Sequence, residues 1–354
     1  MDRRWDAWGR LQLAVVGAHY DAAAQIVAAI GVVRGLAMCA LVTVLHGAAA
    51  TWLVDAAAES GADSYGALAA SCGLGRRALV VVDAASMVVV ATACANRLNI
   101  SAVVAASAVP IGGPPGIIHV CAALAIGAAA ALAAKHSRVS GTMCAVGLAG
   151  LLVLVVLASR ATDVAVETAT HPLRALTSLN LGFALLQPTA LSLVTSEDPR
   201  ALARAAFAGA LTAGVLYGFV AATGNSPSTS TLSATVAALS LVPLVRPLRR
   251  AAEGLSAEAG GAAALMAVAV VAMVALFDAF VPGDALVALC VGVTSFALPV
   301  WSHWRLERPR DLPVGCKTLR FVCLDLAAPA CVLFLGVALS LLPTAGLATR
   351  LGVS

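Results

Sequence analysis

Residues 140–158 read SGTMCAVGLAGLLVLVVLA, a run with no charged side chain. A helix of this length rises about 28 Å at about 1.5 Å per residue. That matches the hydrocarbon core of a bilayer, about 30 Å thick. The apolar residues are continuous rather than alternating, and the run is too long for an ordinary strand, so a helix is the expectation.

Comparable runs fall at 35–54, 78–96, 116–134, 175–195, 201–223, 229–245, 261–282, 284–301 and 319–342. A shorter one, 98–112 (LNISAVVAASAVPIG), ends at the GGPPG break. Pro114 and Pro115 there suit a hairpin into the next run. The whole chain has the same character: 61% hydrophobic and 11% charged, with a mean hydropathy of +0.95. Soluble domains carry about 25% charged residues. The reading is therefore an all-α, polytopic membrane bundle of about eleven spans, with the lipid bilayer as its main partner.

The basic residues orient it. With the N-terminus in the cytosol, eleven spans leave only Arg76, Arg77, Arg160, Arg174 and Arg350 outside, and the other Lys and Arg fall inside. Residues 1–34 become a cytosolic N-terminal segment, and 35–195 hold six spans. A short cytosolic junction follows at 196–200, then five spans in 201–342 and an external tail at 343–354. The opening MDRRWDAWGR is no secretory signal, because His19, Tyr20 and Asp21 stand where an apolar core belongs. A further span at 11–33 is the alternative, and it would bury Asp21. Among the nine cysteines only Cys72 falls in an external loop, and none forms a CxxC pair, so packing is their expected role.

Ionisable groups inside apolar runs are costly and mark functional candidates. Asp83, His119 and Asp278 each lie near the external end of a span and could share one depth, holding a proton or cation; snorkelling to the interface is the plainer alternative. Asp325 lies close enough to the cytosolic end to pair with Arg204 or Arg320. His46 is near mid-span. Thr177, Asn180 and Gln187 share one helical face beside Pro188, and Ser226, Ser230, Ser233 and Ser240 share another. Such faces meet either a neighbouring helix or a cavity for a polar small-molecule solute. Gly214 and Gly218 read as close helix packing. Gly73-Leu-Gly75 matches a dinucleotide fingerprint by letter only, with no strand before it. No catalytic, cofactor-binding or metal-binding motif is present, and the dispersed basic residues argue against nucleic acid. A non-enzymatic protein is the expectation.

The stretches CANRLNISAVVAAS, HPLRALTSLNLGFALLQPTALSLV and VWSHWRLERPRD, in an Ala/Val/Leu-dominated multi-span chain with scarce Phe and Tyr, resemble the unique-long gene 43 envelope proteins of alphaherpesviruses. That resemblance implies a protein of the virion envelope and infected-cell membranes, with an accessory role in glycoprotein traffic or membrane fusion and other envelope glycoproteins as partners. The eleven-span layout is also similar to the equilibrative nucleoside transporters, a major-facilitator-like fold. Those carry an Asp and an Arg in the eighth span, which 229–245 lacks. The alternative reading is thus a solute carrier of that type, or a degenerate descendant of one.

Overall fold

In lipid every backbone N–H and C=O must find its partner within its own segment, which selects helices for chains of this composition. The computed structural model of the protein describes residues 3–17, 20–108, 115–160, 172–223, 231–255, 281–306 and 326–350, and among them no strand occurs. The helices are α1 (Arg3–Val16), α2 (Tyr20–Ile30), α3 (Val32–Ser60), α4 (Tyr65–Ser71), α5 (Arg76–Ala108), α6 (Pro115–Lys135), α7 (Ser137–Arg160), α8 (Pro172–Ala184) and α9 (Leu186–Leu191). They continue with α10 (Pro199–Thr223), α11 (Thr231–Leu239), α12 (Val242–Leu255) and α13 (Val281–Val291). A π-helical segment (Gly292–Ala297), α14 (Leu298–Leu306) and α15 (Ala328–Arg350) complete them.

Six of these stretches are long and apolar enough to cross a membrane, and α11 with α12, bent by 40°, makes a seventh. The chain is a multi-pass helical membrane protein. The eleven spans expected from the sequence are not all reached among the described residues; residues 261–280 of the expected span 261–282 lie outside them.

Three expectations need correction. First, the span expected at 78–96 and the described part of the one expected at 98–112 lie on one helix, α5. Neither Gly nor Pro occurs between Ala78 and Ala108, so no breaker separates the two expected spans. Arg97, expected in a cytosolic loop, is fully buried. Second, the described part of the N-terminal segment 1–34 is helical and packs into the bundle. On α1, Ala7, Leu11, Ala14 and Val15 fall at i, i+4, i+7 and i+8, one apolar face, and all four are buried in the core. Third, Arg250 forms an ion pair with Asp63 at 2.9 Å. The sequence reading placed the 55–77 loop and the 246–250 cluster on opposite sides of the membrane, and this contact puts them on one. Cys72 agrees: it is buried, which pushes its thiol up, and the nearby Arg305 guanidinium opposes that shift. The loop read as external therefore sits with the basic clusters.

The bundle is built around α3, whose principal neighbour is α10. The two helices close where Gly214 faces Thr43; a Cβ at Gly214 would lie 2.4 Å from the Thr43 hydroxyl oxygen. The small pair Gly214 and Gly218 thus serves packing within this chain. Gly31, with φ of 89°, turns α2 into α3, a conformation a side chain would resist. The outer helices α6 and α7 present Leu132, Leu152 and Val156 outward, the surface that lipid tails would cover.

Candidate functional site

Pro188 decides the first piece of local geometry. A proline lacks the N–H of a helical residue, and its ring crowds the carbonyl four positions earlier, here Ala184, where α8 ends. The short α9 then starts afresh and carries Gln187 on a new heading. The two helices bring Asn180 and Gln187 against His46 of α3, and all three are buried. The His46 ring nitrogen Nε2 lies 2.6 Å from Asn180 Oδ1, and its Nδ1 lies 3.1 Å from Gln187 Nε2. Asn180 Nδ2 donates to Ser340 Oγ of α15 at 3.1 Å, and the Ser340 hydroxyl donates to the Gly336 carbonyl. Phe183 and Phe296 enclose the imidazole, with ring centres 5.9 and 4.7 Å away.

A neutral imidazole has one N–H, so one ring nitrogen donates and the other accepts. The Gln187 amide is satisfied with its nitrogen donating to the Ala184 carbonyl at 2.9 Å and its oxygen accepting from Nδ1; the reverse orientation sets its oxygen against the Ala184 and Phe183 carbonyls. Which ring nitrogen carries the proton follows from how the two amides are turned. The neutral form is the one a dry interior favours, because a buried charge without a counter-charge is costly. Asn180 and Gln187, on the polar face expected with Thr177, meet other helices here.

Arg97 is the second polar centre. Its Nη1 donates to the Ser240 carbonyl at 2.7 Å, and its Nη2 donates to the Ala14 carbonyl. Ser240 lies at the break between α11 and α12, and Ala14 in the last turn of α1. Helix ends leave carbonyls without intrahelical partners, and one guanidinium fork serves two such ends. Tyr217 donates to the next α1 carbonyl, Val15, at 2.9 Å. Ser233, buried on α11, lies beside Ala234, whose carbonyl accepts from Ser101 of α5.

Asp83 is buried with Oδ1 accepting from the Gly66 N–H at 2.8 Å, in the first turn of α4, where Ser64 also caps Ala67. A carboxylate at a helix N-terminus is stabilised by the exposed N–H groups and the dipole, so its role is to hold the α4 turn. His119 stands near the start of α6, whose other end, Lys135, lies with Arg246 at the basic end of the bundle. Asp83, in a cleft with Asp63 and Arg250, belongs to that basic end. Asp83 and His119 therefore do not share a depth. Asp278, Asp325, Ser226 and Ser230 lie outside the described residues.

Sequence reasoning missed a third feature. A cavity of about 230 Å³ opens at the basic end, lined by Arg10, Lys135, Ser140, Thr189, Ser192, Pro243 and Arg246 among others. The three cations come from α1, α6 and α12, far apart in the chain, and reading α1 as a tail kept Arg10 out of the bundle. Among the described residues no group of His, Cys, Asp or Glu is placed to hold a metal ion.

No family model matches the chain, and a search of curated proteins finds no relative of it. What fold and site define together is a class: a multi-pass helical membrane protein whose interior polar residues bridge its helices.

Proposed function

We propose that this protein is an accessory membrane protein of the kind the envelope resemblance implies, resident in the virion envelope and infected-cell membranes. It acts through helix contacts on glycoprotein traffic or membrane fusion. The observation that carries this reading is the closure of the interior: His46, Asn180, Gln187 and Ser340 spend their hydrogen bonds on one another and on backbone. A carrier caught open would leave such groups facing a cavity.

Eleven crossings with the N-terminus in the cytosol remain the layout we favour, in a revised form. α1 with α2 supplies a broken first crossing and replaces the lost 98–112 span. Arg76 and Arg77 then join the cytosolic face, Arg34 moves outside with Arg160, Arg174 and Arg350, and Arg97 lies within the membrane.

A second reading, the solute carrier, draws support from helix interruptions at α8–α9, α11–α12 and the π segment 292–297. Interrupted helices and π segments recur at transport and other functional sites. Co-expression with fusion glycoproteins, alongside uptake of labelled nucleosides into proteoliposomes, separates the two. The accessory reading expects altered cell–cell fusion or glycoprotein surface level, and no saturable uptake. Saturable uptake lost in Gln187→Leu would replace it with the carrier.

A further inference from the structure

We propose that the cavity between α1, α6, α9 and α12 binds a phosphate-monoester anion, presented either as an anionic lipid headgroup or as a free phosphorylated solute. The site stands whether or not the protein moves a solute.

Three cations converge on this cavity: Arg10, Lys135 and Arg246. One carboxylate is close at hand, Asp6, and it already accepts from Arg10 Nη2 at 2.8 Å. Two neighbouring arginines outside the cavity are already paired: Arg249 with Glu253, and Arg250 with Asp63 and Glu253. Lys135 and Arg246 make no ion pair with any described residue. Arg246 also feels repulsion from Arg250 and Arg10, which attraction to Asp63 and Glu197 opposes. Like charges gathered around a partly buried hollow favour an anion between them.

Two unpaired donors point the same way. Thr189 is 1% exposed and its hydroxyl has no hydrogen-bond partner, although it lines the cavity. Arg10 Nε is likewise enclosed without a partner. Native proteins rarely leave such donors unmet, and each exception calls for a ligand, a water or strain. A phosphate monoester offers three acceptor oxygens and up to two negative charges. It suits two guanidinium forks, an ammonium and a hydroxyl better than a carboxylate with two oxygens does. The hollow of about 230 Å³ is well above the roughly 10–15 Å³ that one water requires.

The test uses the full chain in nanodiscs. One arm measures retention of phosphatidic acid by native mass spectrometry in mixed phosphatidylcholine nanodiscs. The other titrates glycerol 3-phosphate against the protein in pure phosphatidylcholine. Binding in at least one arm is expected. Arg246→Gln should weaken it about tenfold to a hundredfold, the range for losing a hydrogen bond to a charged group. Arg249→Gln, an exposed arginine outside the cavity, should leave it within about twofold. Thr189→Val, nearly equal in volume, should weaken it severalfold and provides the reading if Arg246→Gln folds poorly. A lipid-only signal assigns the site to a headgroup, and a glycerol 3-phosphate signal assigns it to a free solute. Binding in neither arm, or equal losses in Arg246→Gln and Arg249→Gln, overturns the proposal.

Discussion

Replacing Asn180 with leucine keeps the side-chain volume close and removes the junction of the interior network. Two hydrogen bonds go: the 2.6 Å contact with His46 and the 3.1 Å bond to Ser340. The two partners fare differently. Ser340 still donates to the Gly336 carbonyl, so its hydroxyl stays satisfied. The His46 Nε2 is left inside the protein with no partner. An interhelical hydrogen bond in a membrane protein is worth about 0.6 kcal/mol on average and about 1.7 at most. A buried donor left unmet costs about 1–3 kcal/mol. Asn180→Leu should therefore destabilise the fold by about 2–4 kcal/mol, and Ser340→Ala, which leaves the buried Asn180 Nδ2–H without its acceptor, by about 1–3. Reversible unfolding in mixed detergent micelles, followed by helical circular dichroism, reads both. In a double-mutant cycle with His46→Leu, the Asn180 and His46 losses should be strongly non-additive. Additive losses in the cycle would refute the network as drawn.

Arg97→Lys keeps the charge, but one ammonium cannot serve the carbonyls of Ser240 and Ala14 as a planar fork does; a loss of about 1.5–3 kcal/mol is expected. Arg97→Met orphans both carbonyls yet relieves an insertion cost of about 2.5–3.5 kcal/mol. The lysine variant should thus unfold at least as readily as the methionine one, and wild-type stability in Arg97→Lys would sink this reasoning. Gly214→Val forces α3 and α10 apart at Thr43 and should cost about 1–3 kcal/mol. Gly75→Val, where an added Cβ meets nothing within 4 Å, should change unfolding by less than about 0.5 kcal/mol. Gly66→Ala would press its Cβ onto the Asp83 carboxylate, 2.1 Å away. It should release the α4 turn, read as faster proteolysis between 61 and 75.

The long uncharged runs were legible because lipid imposes one solution on them: α3, α6, α7 and α10 lie where hydropathy put them. The face shared by Thr177, Asn180 and Gln187 was legible as well, since periodicity alone puts polar residues on one side of a helix. Arg97 was not. Charge in a hydrophobic chain ordinarily marks a loop, and its burial depends on two helix ends, at Ala14 and Ser240, that no local pattern links to it. α1 was missed for a related reason. The charges of MDRRWDAWGR lower its hydropathy, while the buried face from Ala7 to Val15 shows only as amphipathic spacing. Splitting α5 into two spans had put the 55–77 loop and the 246–250 cluster on opposite faces, which the Asp63–Arg250 pair contradicts. The basic cavity was beyond reach of the sequence, because its cations meet only once α1 is inside the bundle.

The most direct test of this architecture compares the sides of two exposed positions. Glu59→Cys and Arg249→Cys, each in a chain cleared of other reactive thiols, are labelled in sealed vesicles with a membrane-impermeant maleimide. The ion pair between Asp63 and Arg250 predicts that both label from the same side of the bilayer, the cytosolic one in our layout. Labelling from opposite sides would contradict the fold at its centre.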